Sequence, residues 1–279
     1  MDRLLDGKVA LVTGSGRGLG WGIARALGQS GARVCVSDIN DTELARAEAD
    51  LKADGSQVMA LHLDVGDLAA FQNAVDQVVA RWGRLDVLVH NAIYMPLIRF
   101  EDTLPELFWR QLQVSLGGLF NGCRAVWDLM KAQGGGHIMG IASGSSKKGF
   151  KDEVTYCTAK HGQEGFVKAL SLEAAPYGIA LNTVGPGKII KPTRITWEEF
   201  DALPESGKVG WADPVALGKG FVWLAAQPTT RFSGYRFDAG VIADTVAAEG
   251  YDFTFSPEKV TLLPADFLAA RDWYANYPD

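Results

Sequence analysis

The chain has 279 residues, is 47% hydrophobic and 22% charged, and carries a net charge of −6. That is enough apolar material for a full core, and the acidic balance argues against general affinity for nucleic acid or anionic membranes. Cys35, Cys123 and Cys157 are scattered without metal-ligand spacing, the start Met1-Asp2-Arg3-Leu4-Leu5-Asp6 lacks a basic, apolar leader, and the longest apolar runs are strand-sized. The expectation is a cytoplasmic protein with reduced thiols, no metal and no membrane span.

Lys8-Val9-Ala10-Leu11-Val12 is a β-rich run that leads into Thr13-Gly14-Ser15-Gly16-Arg17-Gly18-Leu19-Gly20, followed by the helical pattern Ile23, Ala24, Ala26, Leu27. Strand, glycine turn and helix N-terminus together make a pyrophosphate cradle: glycines let the backbone approach the ligand, and free amides face the anion. A second strand, Ala32-Arg33-Val34-Cys35-Val36-Ser37, ends at Asp38 and Ile39. This is the spacing at which an acidic residue meets a cofactor ribose. A carboxylate there accepts hydrogen bonds from a free 2′-hydroxyl and repels a 2′-phosphate, which favours NAD over NADP. Arg17, able to grip a phosphate bidentately, leaves NADP open.

Further strands are predicted at 57–63, 85–90, 137–142, 179–184 and 235–238, separated by helical patterns that are longest over 107–130 and 156–177. Alternation of this kind predicts an α/β fold: a Rossmann-type doubly wound parallel sheet in a single domain. Ligands of such sheets bind outside the carboxyl ends of the strands, where Gly14, Asp38, Asn91, Ser143 and Pro186 fall. His137, at the start of a strand, reads as structural.

Tyr156 and Lys160 stand at i and i+4 on a helical pattern, so they share one face, and Ser143 follows the strand beginning at His137. A cation beside a phenol favours phenolate, bringing a pKa of about 10 toward working pH and making the group a general acid/base. Ser143 is placed to orient a carbonyl oxygen.

With these motifs the chain resembles the short-chain dehydrogenase/reductase family, in its compact branch, over nearly everything up to Gly240. Thr13, Gly14, Gly18 and Gly20 match the TGxxxGxG turn, Asp64-Val65 the adenine-contacting pair, and Asn91-Ala92 the middle of Asn-Asn-Ala-Gly. Ser143, Tyr156 and Lys160 match the catalytic serine and YxxxK, Pro186-Gly187 the loop on the nicotinamide side, and Phe237-Asp238-Ala239-Gly240 the late strand. The resemblance implies cofactor contacts from Thr13, Gly14, Ser15, Arg17, Gly18, Leu19, Gly20, Asp38, Ile39, Asp64, Val65, Asn91, Ala92, Tyr156, Lys160, Pro186, Gly187 and Ile189. It also implies a homo-oligomer, dimer or tetramer, built through the two long helices.

Three departures stand out. His90 and Ile93 replace the outer Asn and Gly of Asn-Asn-Ala-Gly, which tunes stability or pocket shape. Ser115 stands where the family carries the Asn that completes its catalytic tetrad and holds a water beneath the lysine. Residues 241–279 extend past the usual end, rich in aromatics (Tyr251, Phe253, Phe255, Trp273, Tyr274, Tyr277), and are expected to pack on the 1–240 domain or on a neighbouring subunit. Between Gly187 and Trp211, a lid carrying Trp197 and Phe200 is expected to roof the substrate, with Lys188, Lys191 and Arg194 hinting at an anionic group on it.

The implied activity is reversible hydride transfer between NAD(H) and a small-molecule secondary alcohol or ketone. Tyr156 is the acid/base, Lys160 lowers its pKa, Ser143 fixes the oxygen, and Ser115 anchors a relay water. The alternatives are an NADP-dependent 3-oxoacyl thioester reductase, or an idle NAD-binding sensor.

Overall fold

The computed structural model describes residues 3–254. Seven parallel strands form one sheet in the order β3-β2-β1-β4-β5-β6-β7: β1 Val9–Thr13, β2 Arg33–Asp38, β3 Val58–His62, β4 Val87–His90, β5 Gly136–Ile141, β6 Ile179–Gly185 and β7 Arg236–Asp238. The order reverses between β1 and β4, so a crevice opens there at the carboxyl ends of the strands. Successive residues of β1 point to opposite faces, and each face meets its own core. Ala10 and Val12 join Ile23, Leu27, Phe221 and Trp223, while Val9 and Leu11 join Phe71, Leu88, Leu119 and Ile138. Each Val, Leu, Ile or Phe side chain among them contributes about 1.5–3 kcal/mol when removed from water.

On the first face lie α1 (Gly18–Gln29), α2 (Asp41–Ala53), α8 (Pro214–Ala225) and α9 (Ala239–Glu249); on the second lie α3 (Leu68–Trp82), α5 (Gly118–Ala132) and α6 (Val154–Ala174). Asn40 and Asp67 cap α2 and α3 by accepting from the amides two and three residues on. The short helices α4 (Pro105–Leu112) and α7 (Trp197–Ala202) lie in the segments after β4 and β6.

The strands fall within the predicted ranges, apart from small shifts at their ends. The long pattern over 107–130 is different: α4 and α5 are separated by a π-helical turn over Gln113–Gly117, with Ser115 at its centre. The i→i+5 spacing frees a carbonyl at this point, and the site uses it.

Of the predicted extension, α9 packs on α8, and Phe253 stacks on Trp223 with centroids 5.0 Å apart and planes 7° from parallel. The aromatics from Phe255 onward lie outside the described residues. At the crossing of α1 and α8 the backbones nearly touch, and a Cβ on Gly22 would come within 2.3 Å of the Pro214 carbonyl. Gly22→Val is therefore expected to lower stability by about 1–3 kcal/mol through overpacking, read as an earlier midpoint in chemical denaturation.

Candidate functional site

The glycine turn and the end of β4 are stapled by one hydroxyl. Thr13 Oγ1 accepts from the amides of Asn91 and Ala92, both at 3.1 Å, while Asn91 Nδ2 donates to the Gly14 carbonyl at 2.7 Å. Gly14, at φ +60°, leaves no room for a side chain, since a Cβ would lie 2.6 Å from Ala92 Cα. Beyond the turn, Arg17 is the N-cap of α1 and gives no side-chain cap, the first turn holds no acidic residue, and a Cβ on Gly18 would meet nothing within 4 Å. Uncapped amides facing open space fit a pyrophosphate.

Asp38 ends β2 beside this turn. Its Oδ2 accepts from the Gly16 amide at 2.9 Å and its Oδ1 from Asn40 at 3.0 Å. Ser15 is buried and donates to the Val12 carbonyl at 2.8 Å, so its role in the turn is internal bracing. Asp64 accepts from Gly66 and from Arg110 Nη2, both at 2.9 Å, and Val65 is buried with its carbonyl held by Asn121. Ile39 and Ile189 are exposed, Leu19 is buried, and Pro186 accepts from the Gly240 amide at 2.9 Å.

The catalytic candidates converge at the end of β5. Tyr156 and Lys160 lie on α6, and Ser143 is the N-cap of a short 3-10 turn, Gly144–Ser146. Ser143 lies on the phenol side of Tyr156, and its carbonyl is held by Arg236 Nη2 at 2.7 Å. Arg236 also pairs with the buried Glu164 on α6, which accepts from Thr183 Oγ1 at 2.9 Å. A buried ion pair thus fixes the strand end against the helix.

Lys160 is buried. Its Nζ donates to the Ile141 carbonyl at 2.6 Å and to Gln163 Oε1 at 2.9 Å, and lies 5.7 Å from the Tyr156 ring centroid. Burial pushes its pKa down to about 7 against the opposing pull of Glu164. Burial also raises Tyr156, opposed by the neighbouring Ser143 and reinforced by Glu153. The expected lowering of the phenol by Lys160 is not what this geometry gives, because the ammonium is turned toward Ile141 and Gln163.

Ser115 differs from expectation as well. Its hydroxyl is buried without a hydrogen-bond partner among the described residues, and its carbonyl is the group in use. That carbonyl, freed by the π turn, accepts from Gln163 Nε2 at 2.7 Å and from His90 Nε2 at 2.9 Å. The bond to a carbonyl assigns the proton of His90 to Nε2, leaving Nδ1 to accept from Thr13 Oγ1 at 3.3 Å. Burial, with Lys160 nearby, pushes His90 down to about 3, so the ring stays neutral. His90 therefore joins the glycine turn to the π turn.

The lid sits at the nucleotide end rather than over Tyr156. Trp197 Nε1 donates to the Gly16 carbonyl at 3.0 Å, its ring meets Trp21 edge-on at 5.1 Å, and the Arg46 guanidinium lies 4.5 Å above it. Arg17 Nε donates to the Thr193 carbonyl at 3.0 Å, and its Nη1 lies 3.3 Å from Glu43 Oε1. Lys188 pairs with Asp244, and Lys191 donates to the Ile195 carbonyl, so neither is a free anchor for an anionic group.

Sequence reasoning missed Gln163, Glu43, Ser145 and Glu153. The signal for Gln163 and Glu164 was present: two polar residues interrupt the buried face of a long helix, where polar side chains stay only when bonded.

A family model described as short chain dehydrogenase matches residues 8–203. D-threitol dehydrogenase of Mycolicibacterium smegmatis is 33% identical over 256 residues, covering 90% of this chain and 95% of that protein. The 3-alpha-(or 20-beta)-hydroxysteroid dehydrogenase of Mycobacterium tuberculosis is 36% identical over 246 residues, covering 87% and 92%. Among solved structures, a short chain dehydrogenase from Mycobacterium smegmatis superposes with a TM-score of 0.74 at 27% identity, covering 86% of this chain and 95% of that one. A metagenomic short-chain oxidoreductase in complex with NADP gives 0.71 at 27% identity, covering 82% and 95%. With the doubly wound sheet, the glycine turn and the Ser143, Tyr156 and Lys160 cluster, these matches identify the chain as a member of the short-chain dehydrogenase/reductase family, an NAD(P)-dependent oxidoreductase acting on CH–OH groups.

Proposed function

We propose that the protein interconverts a secondary alcohol and a ketone with NAD(H), using Tyr156 as general acid/base. The observation that carries this reading is the continuous set of hydrogen bonds from Thr13 in the glycine turn, through His90, the Ser115 carbonyl and Gln163, to Lys160, one helical turn from Tyr156. It supports a reading in which the proton-transfer group and the nucleotide cradle share one frame. The bound nicotinamide supplies the hydride chemistry. Thr13, Gly14, Gly18, Leu19 and Gly20 form the cradle, and Asp38 receives the ribose. Asp64, Val65, Asn91 and Ala92 line the adenosine side, and Pro186 and Gly187 the nicotinamide side. Ser143 and Tyr156 hold the substrate oxygen between them; Lys160, with two donors committed to Ile141 and Gln163, has one left for the cofactor ribose.

NAD is favoured over NADP by two carboxylates. Asp38 holds its position through two amides, and Glu43 pairs with Arg17, the one residue of the turn suited to grip a 2′-phosphate. The Arg17 charge is spent inside the protein. Assembly as a homo-oligomer is supported by exposed Trp109, Phe120 and Leu172 on α4, α5 and α6, and light scattering of the purified protein tests it.

Titration with NADH and NADPH, then nucleotide absorbance over a panel of alcohols and ketones, tests the main reading. Tyr156→Phe is expected to lower kcat by about 10²- to 10⁴-fold with NADH affinity unchanged; retained turnover refutes the assignment. Glu43→Gln is expected to raise the NADPH-to-NADH ratio of kcat/KM about tenfold, or about 1.4 kcal/mol, by releasing Arg17. An unchanged ratio shows that Asp38 alone sets the preference. Because Tyr156 is raised by burial, alcohol oxidation, which needs phenolate, is expected to climb with pH into the alkaline range, whereas ketone reduction, which needs phenol, is favoured nearer neutrality.

A further inference from the structure

A buried ion pair is a costly way to join two elements. Two charges lose their hydration, and apolar side chains of similar volume in their place are often neutral or stabilising. Arg236 on β7 and Glu164 on α6 form such a pair, with both side chains buried. Thr183 on β6, the cross-strand neighbour of Arg236, donates its hydroxyl to the second carboxylate oxygen at 2.9 Å. The pair also has a limb that joins no two elements of the core. Arg236 Nη1 meets Glu164 Oε1, while Nη2 of the same fork donates to the Ser143 carbonyl at 2.7 Å. A requirement for stability alone does not call for that limb.

Ser143 leaves β5 in extended conformation, with φ −145° and ψ 167°, and the backbone around it is held group by group. Lys160 Nζ donates to the Ile141 carbonyl at 2.6 Å, the Ala142 amide to the Val184 carbonyl at 3.0 Å, and the Ser143 amide to Ser146 Oγ at 3.0 Å. The Ser143 carbonyl closes the short 3-10 turn by accepting from the Ser146 amide at 3.1 Å. A turn of this kind has poor hydrogen-bond geometry of its own, and the Arg236 limb adds a charge-assisted bond that ties it to β7 and α6. With its backbone fixed on both sides, the serine hydroxyl keeps only rotation about χ1. The Ser145 amide, donating to Oγ at 3.2 Å, selects the rotamer.

We propose that Arg236, aimed by Glu164, is a positioning residue of the reaction: it sets where the Ser143 hydroxyl stands against the substrate oxygen, and it acts through Ser143 alone. The proposal rests on Ser143 as a group that holds that oxygen. The residue type matters because a guanidinium presents its donors in one rigid plane, so a single side chain faces a carboxylate and a carbonyl together. A lysine in its place, shorter and without the fork, keeps the charge beside Glu164 and gives up the Ser143 limb.

The test is made in the full-length protein. Arg236→Lys is introduced into the wild type and into Ser143→Ala, and the four proteins are assayed by nucleotide absorbance with the alcohol that the wild type turns over fastest. In the presence of Ser143, Arg236→Lys is expected to lower kcat by about 10- to 100-fold with NADH affinity unchanged. In the Ser143→Ala background the same change is expected to alter kcat by less than about twofold, because no hydroxyl remains to be positioned. A group that served the fold alone would lower kcat alike in both backgrounds. Arg236→Met combined with Glu164→Leu removes both charges at once; it is expected to keep the denaturation midpoint and to lose the same factor in kcat. Wild-type kcat in Arg236→Lys, equal losses in the two backgrounds, or loss of the fold in both Arg236→Lys and the double replacement overturns the positioning role. Wild-type kcat in Ser143→Ala defeats instead the assignment of Ser143 on which it rests.

Discussion

Burying the ammonium of Lys160 is the constraint on which the rest of the site depends. A cation taken out of water is costly unless polar groups replace its hydration, and here the replacements are two fixed oxygens, from Ile141 and Gln163. Each needs its own support. The Gln163 amide has to be oriented, which the Ser115 carbonyl does, and that carbonyl is free because the helix passes through a π turn at this point. His90 donates to the same oxygen and accepts from Thr13, which in turn anchors Asn91 and Ala92 against Gly14. A side chain on Gly118 would strike the His90 ring, its Cβ lying 2.6 Å from Cε1, so the residue that opens α5 is fixed by the same chain. The solvation of one lysine thereby reaches from α6 through α5 and β4 to the nucleotide turn.

This explains why departures that look like losses in sequence are absorbed in the structure. Ser115 lacks an amide side chain, but the amide is supplied by Gln163 from the facing helix, and the serine takes part through its backbone. His90 lacks the side chain of the asparagine it replaces, yet its two ring nitrogens span the gap between a hydroxyl and a carbonyl. In both cases hydrogen-bonding capacity has moved to another position. Single-position comparison therefore misjudges the site, whereas a census of donors and acceptors does not.

What was legible in the sequence follows from the range of the interactions involved. The strands declare themselves by apolar runs, the glycine turn by a backbone requirement, and Tyr156 with Lys160 by the pitch of one helix; these are local. Gln163, Glu43 and the placement of Trp197 depend on what packs across from them, and sequence spacing carries no such information. The lid shows this most clearly. Trp197 reads as a roof over substrate because of where it falls in the chain, but its indole N–H is drawn to the Gly16 carbonyl and its ring to Trp21 and Arg46. The break in the long helix at Ser115 was hidden for the same reason: the residues of 107–130 keep a helical pattern throughout, and only the tertiary demand for a free carbonyl selects the π turn.

The two ends of the site are built on opposite electrostatic principles, and the division bears on function. At the nucleotide end charge is cancelled internally: Arg17 by Glu43, Arg46 by Asp201, Arg110 by Asp64. What remains there is backbone amides and Asp38, and it is on this surface that the proposed preference for NAD rests. At the catalytic end charge is kept and aimed. Lys160 sits behind Tyr156, the Arg236 and Glu164 pair holds the Ser143 carbonyl, and Glu153 stands at the rim. Pairing stray charges at a binding surface disfavours wrong ligands, whereas fixed charges and donors aimed at one point stabilise charge as it develops there. Between Thr13 and Gln163 the hydrogen-bonded brace is made of neutral groups, so it transmits position between the two ends without transmitting charge.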